Sequence, residues 1–241
     1  MLAVAGAGVV AGAVNAIVGS GSLVTFPTLL AVGFSPVVAN VSNTVGLVFG
    51  SVSGAWGYRR EMSGQLRRVL TLGAGTAVGA LAGGILLLAL PEGVFDAVVP
   101  LLILLAVALM AFKPTPSGEH EPARAHTVPG TIGTFLTGIY GGYFGAAQGV
   151  ILLAVLRLAF GDDLHRLNAL KNVLAGIANG VAAVLFIAVA EVAWDAAALI
   201  AAGGGGGGGG GAAYGRRLPE RWLRRIVIVG GTIVAVILLV D

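Results

Sequence analysis

Two glycine-rich breaks interrupt otherwise apolar runs. One is Gly19-Ser20-Gly21-Ser22-Leu23-Val24-Thr25-Phe26-Pro27, and a looser echo is Gly145-Ala146-Ala147-Gln148-Gly149-Val150-Ile151-Leu152. Glycine lets the backbone leave a helix and restart it, and a restarted helix opens with N–H groups that lack intrahelical partners. Such an end carries about half a positive charge, so it can hold an anion without a buried charged side chain. Ser20 and Ser22 would add hydroxyls on one side, and Gln148 an amide on the other. Either break alone reads more readily as a plain capped turn. A matched pair in corresponding halves of an apolar chain instead points to one shared anion site, built from Gly19, Ser20, Gly21, Ser22, Gln148 and Gly149.

More polar residues follow each break. Asn40, Ser42, Asn43 and Thr44 open one apolar segment, and Asn168, Lys171 and Asn172 open another, with Asn179 further along. The asparagines and Lys171 fall at i, i+3 and i, i+4 spacing, hence on shared helical faces. Polar side chains within apolar spans face the bundle or a water-filled cavity, so Asn43, Asn172 and Lys171 are expected to line the site. Lys171 has two readings. It is either a counter-ion to the substrate or a lysine snorkelling near the interface beside Asp162, Asp163, His165 and Arg166. No Ser/His/Asp set or carboxylate pair falls inside an apolar span, and His120 and His126 lack metal-ligand company. The sequence therefore calls for no catalytic residue, metal or cofactor.

The elements that must position these residues are hydrophobic. Of 241 residues, 57% are hydrophobic and 10% charged, with 40 glycines and no cysteine. Soluble domains carry about 25% charged residues, so these figures indicate an all-α, polytopic membrane protein. The net charge of +3 does not imply nucleic acid, because the basic residues cluster beside apolar segments as topology signals do. The N-terminus lacks a basic n-region, so the first apolar run is expected to be retained. Apolar segments are expected at 1–18, 23–32, 37–57, 69–90 and 94–112, then at 128–144, 150–160, 167–190, 196–214 and 226–240. Lys113 to Thr127 is hydrophilic, which divides the chain into a repeat over 1–112, a linker over 113–127 and a second repeat over 128–241. Shifting the first half by about 129 positions lays Asn43 on Asn172, whereas a shift of 128 lays Ser20-Gly21 on Gln148-Gly149.

Charge relates the two halves. Arg59 to Arg68 and Arg216 to Arg225 are basic loops, whereas Pro91 to Asp96 and Glu191 to Asp195 carry only acids. The positive-inside rule puts the first pair in the cytoplasm and the second outside. Loops at matching positions then lie on opposite sides, so the repeats are expected to be inverted. Each would begin with a re-entrant hairpin and then cross three times, with both termini outside and the linker in the cytoplasm. Gly203 to Gly211 lies within the penultimate segment, where close helix packing is favoured over local unwinding.

At these residues the chain resembles the sulfite exporter TauE/SafE family of membrane permeases. The resemblance rests on Gly19 through Leu30, Gly33, Pro36, Ala39, Ser42-Asn43-Thr44 and Gly54-Ala55-Trp56-Gly57-Tyr58-Arg59-Arg60. The second glycine-rich break and Gly215-Arg216-Arg217-Leu218-Pro219 extend it over nearly the whole chain. It implies an inner-membrane transporter of small inorganic or organic sulfur anions, such as sulfite, thiosulfate or sulfonates, working by alternating access. Composition and spacing alone imply only a small anion. The competing reading is a membrane-embedded enzyme or assembly subunit without transport. Proton coupling has no obvious intramembrane Asp or Glu to carry it, and the sequence leaves direction of transport and oligomeric state open.

Overall fold

The computed structural model describes residues 1–17, 19–111 and 127–214, together with 228–229, 232–233 and 235–236. The described residues hold nine helices: α1 (Leu2–Ile17), α2 (Ser22–Ala31), α3 (Pro36–Gly57), α4 (Leu66–Ala89), α5 (Glu92–Ala111), α6 (Thr127–Tyr143), α7 (Gln148–Ala159), α8 (Leu164–Val189) and α9 (Trp194–Tyr214). Each expected segment up to 214 is found within a few residues of its bounds. The linker up to residue 126, the Arg216–Arg225 loop and most of the last segment lie outside the described residues. Local chemistry accounts for several boundaries. Pro36 opens α3, where its missing N–H costs nothing. Asp163 caps α8 by accepting from the His165 N–H at 2.8 Å. Pro91 lies just past the extended cap residue Leu90 that ends α4.

The surface is apolar, and polar side chains are buried among the apolar ones of the interior. Val128, Ile132 and Leu136 form an exposed stripe on α6, and Leu70, Val78, Leu81 and Ile85 are exposed on α4. The buried residues include Asn15, Asn40, Ser42, Asn43, Ser51, Gln148, Asn168, Lys171, Asn172 and Asn179. Large exposed apolar faces around buried amides fit a bilayer as solvent. By length and composition α3, α4 and α8 can each cross a membrane. By contrast, α2 has 10 residues and α7 has 12. At 1.5 Å per residue these make roughly 15–18 Å, about half of a ~30 Å hydrocarbon core.

The two halves interlock. α4 packs on α6 and α1 on α9, and α3 contacts α9 as α8 contacts α4. Exchanging α1–α4 with α6–α9 turns each of these pairs into its counterpart. α3 and α8 start at Pro36 and Leu164, and α4 and α9 at Leu66 and Trp194, both pairs 128 apart, whereas α2 and α7 start at Ser22 and Gln148, 126 apart. On the 128 spacing of the α3 and α8 starts, Lys171 falls at the position of Asn43, and Asn168 at that of Asn40. Ser51 and its counterpart Asn179 touch each other, Asn179 Nδ2 donating to Ser51 Oγ at 3.3 Å. Near the start of α3, Ser42 Oγ accepts from Ala193 N, just past the end of α8. Past the end of α3, the Ser63 carbonyl and Gln65 meet Arg166 at the start of α8. The counterpart helices α3 and α8 therefore run antiparallel. Arg68 closes the same end, paired with Asp162 and stacked 4.5 Å over the Phe160 ring.

Glycine sets the closeness of the cross-half contacts. A Cβ at Gly79 or Gly83 of α4 would lie 2.1 Å from the Phe135 carbonyl oxygen or 2.0 Å from that of Ile139. Gly138 and Gly142 make the reciprocal approach from α6. The glycine run plays the matching part in α9, which stays helical through it. Gly203 and Gly207 press on the α1 backbone around Val9, and Gly204 meets Gly50 of α3, whereas Gly205 and Gly206 face open space. Packing accounts for Gly203, Gly204 and Gly207; for the full length of the run the structure offers no account.

Candidate functional site

The two breaks meet. The Gly149 N–H donates to the Gly19 carbonyl at 2.9 Å, and a Cβ on either glycine would lie about 2.5 Å from the other's Cα (2.5 Å from Gly19, 2.4 Å from Gly149). Gly19 has φ +83°, a conformation that favours glycine, and Gly145 has φ +76°. Ala147 takes the left-handed region too, at φ 56°, where a side chain is strained. Aromatic packing holds that strained turn. The Phe144 ring meets Phe26 of α2 edge-on at 5.2 Å, and Tyr140 Oη donates to the Ala146 carbonyl at 2.6 Å.

Neither α2 nor α7 has a side-chain N-cap; backbone carbonyls take their first N–H groups instead, Leu23 donating to Ser20 and Val24 to Gly21 in one half, Gln148 to Gly145 and Val150 to Ala147 in the other. Ser20, Ser22 and Gln148 are all buried at this junction. Ser20 Oγ and Gln148 Nε2 are buried with no hydrogen-bond partner. An unpaired buried donor costs roughly 1–3 kcal/mol, so two of them on facing turns need a reason. Gln148 is held against α6, where a Cβ at Gly141 would lie 2.3 Å from its Nε2. Gly21 serves packing, since its Cβ would meet the Ala11 carbonyl at 2.6 Å. Gly149 has its N–H committed to Gly19, which makes these two glycines the joint between the breaks.

The polar clusters lie against the breaks, each on the opposite half. Asn168 Nδ2 and Asn172 Nδ2 both donate to the Ala16 carbonyl at 3.3 Å, in the last turn of α1. Lys171 Nζ donates to the Asn15 carbonyl at 3.3 Å and the Ala16 carbonyl at 3.5 Å. Lys171 is fully buried, which rules out the snorkelling alternative. Reciprocally, Asn40 of α3 donates from Nδ2 to the Tyr143 carbonyl at 2.9 Å, at the end of α6. Thus each long helix caps the carbonyl end of the other half's first helix. Asn43 reaches α2 instead, where its Oδ1 accepts from Thr25 Oγ1.

The residues singled out in the sequence therefore gather around one junction. Asn15, Thr25 and Ser51 were missed. Asn15 is the one polar side chain in the first apolar segment, a usable signal; Ser51, which accepts from Asn15 at 3.3 Å, sits among small residues that look unremarkable in sequence.

An apolar exterior, buried amides and paired half-length helices define a helical membrane protein of the transporter class. The sequence pattern described as Sulfite exporter TauE/SafE matches residues 4–238, and the chain belongs to that family. It is similar to a "Probable membrane transporter protein" of Haemophilus influenzae, 26% identical over 188 residues, covering 78% of this chain and 74% of that one. It is also similar to "Probable membrane transporter protein YfcA" of Escherichia coli strain K12, 28% identical over 186 residues, 76% of this chain and 69% of that one. A third relative, "Probable membrane transporter protein ORF9" of Sinorhizobium sp., is 28% identical over 141 residues, 58% of this chain and 54% of that one. No solved structure matches.

Proposed function

We propose that this protein carries a small sulfur-containing anion across the inner membrane by alternating access, with the anion held where the two breaks meet. The observation that carries this reading is the pair of buried, unpartnered groups, Ser20 Oγ and Gln148 Nε2, on turns joined through Gly19 and Gly149. Ser20, Ser22 and Gln148 offer side-chain donors to the anion at the starts of α2 and α7. Lys171, Asn172 and Asn43 back the site from the adjoining helices. The family supports a sulfur oxyanion as substrate.

Saturable uptake of radiolabelled sulfite or thiosulfate into proteoliposomes tests this. Ser20→Ala and Gln148→Leu are each expected to raise KM about tenfold to a hundredfold, the loss of one hydrogen bond to a charged group. Absence of saturable flux from a folded protein would return the chain to the embedded enzyme or assembly subunit.

In this reading alternating access rests on inverted halves, as in many transporters, and the antiparallel course of α3 and α8 supports inversion. In this reading the chain is multi-pass, the 58–68 loop and the linker are cytoplasmic, and the 190–195 loop and both termini are external. The chain has no cysteine, so single introduced thiols report sidedness cleanly. In oriented cells Glu191→Cys is expected to react with an impermeant maleimide, and Glu61→Cys only after permeabilisation. Labelling of both from one side would reject the inversion.

A further inference from the structure

Each break holds the end of one helix as well as the start of the next. α1 ends at Ile17 and α2 starts at Ser22; α6 ends at Tyr143 and α7 starts at Gln148. A helix start contributes about half a positive charge and a helix end about half a negative one. The two starts and two ends at this junction therefore cancel, and the dipoles alone leave no net attraction for an anion. They orient a ligand but do not neutralise it.

One whole charge remains. Lys171 is the only charged side chain among the buried described residues. α1, α2, α3 and α6 contain no Asp, Glu, Lys or Arg, and the nearest charges on the other elements packed against α8 are Arg67 and Arg68 of α4 and Arg157 of α7. The Lys171 ammonium has three donors; two meet the carbonyls of Asn15 and Ala16, and the described residues give it no carboxylate. Those carbonyls precede Ser20 by four and five residues, so the ammonium sits against the first break. Its counterpart in the other half is the neutral Asn43, which leaves the site with a single cation on one side of the joint.

We propose that the site accepts one monovalent anion, whose charge is matched by Lys171 alone, in preference to divalent anions of the same size. The substrate class is then a sulfonate or hydrogensulfite rather than sulfite, thiosulfate or sulfate dianion. A buried ion without a counter-charge is strongly disfavoured, the Lys171 ammonium included, so cation and anion are held as a pair and the second charge of a dianion is uncompensated here. Carrying hydrogensulfite also moves a proton with each sulfur, which links flux to pH without a carboxylate carrier. This inference rests on the anion-transport reading above.

The test is calorimetric binding to the purified full chain in nanodiscs, with methanesulfonate as a fixed monoanion and sulfate and thiosulfate as fixed dianions. Methanesulfonate is expected to bind at least about tenfold more tightly than sulfate, and Lys171→Met to lose it about a hundredfold, as for a buried charge stripped of its partner. Lys171→Arg, which keeps the charge, is expected to bind methanesulfonate over sulfate as the unaltered chain does. Asn43→Lys places a second cation at the counterpart position and is expected to shift preference toward sulfate, a gain of function that a folding defect cannot mimic. Equal or tighter binding of the dianions to the unaltered chain would overturn the charge match and leave anion transport standing. Binding of neither class would overturn both.

Discussion

Gly149→Ala is expected to lower flux about tenfold to a hundredfold while leaving the helix content intact. Its new Cβ would lie 2.4 Å from the Gly19 Cα and 2.8 Å from the Gly19 oxygen, which already accepts the Gly149 N–H. No side chain can swing aside, because both obstructing atoms are backbone. Gly19 cannot rotate away either, as it already sits at φ +83°. The breaks must separate, and overpacking of this kind costs about 1–3 kcal/mol, with each ~1.4 kcal/mol worth tenfold. Gly180→Ala in α8, where nothing lies within 4 Å, is the matched control and should transport normally. Transport assays on both variants, with circular dichroism of each, make the comparison. Unchanged kinetics in Gly149→Ala would mean that contact between the breaks has no part in transport.

The second large effect is a change of sign between adjacent, chemically identical positions. Gly207→Ala should destabilise the protein by about 3 kcal/mol, and Gly206→Ala should stabilise it by up to about 1 kcal/mol. A Cβ at Gly207 would lie 2.3 Å from the Val9 carbonyl oxygen and 3.1 Å from its carbon, so α9 must lift off α1. A Cβ at Gly206 meets nothing within 4 Å, and alanine there gains only its better helix propensity. Thermal unfolding in detergent should show opposite shifts in Tm. Two shifts of the same sign would show that α1 and α9 do not pack through this face.

Much of this was legible beforehand, because the relevant physics is local. Apolar runs uninterrupted by charge become helices wherever they lie, and glycine clusters followed by a capless restart mark where such a helix breaks. The starts of α2 and α7, the polar openings of α3 and α8 and the half-length of the short arms follow from those features. Lys171 was legible as a residue of interest but not in its role. Its distance from water depends on how α8 packs on α1, which no spacing along α8 encodes.

By itself, then, the sequence determined an all-α membrane protein with two glycine-rich breaks and amides beside each. Only the tertiary structure decided that Gly19 meets Gly149, that Asn168, Lys171 and Asn172 close the end of α1, and that Asn43 reaches Thr25 of α2. It also decided which members of the glycine run touch α1 and which face outward. The physical reason lies in the solvent. In lipid, burial of apolar surface does not distinguish one helix face from another, so partners are chosen by how closely backbones approach and which carbonyls find donors. Those are relations between distant segments, which no local pattern along either one encodes.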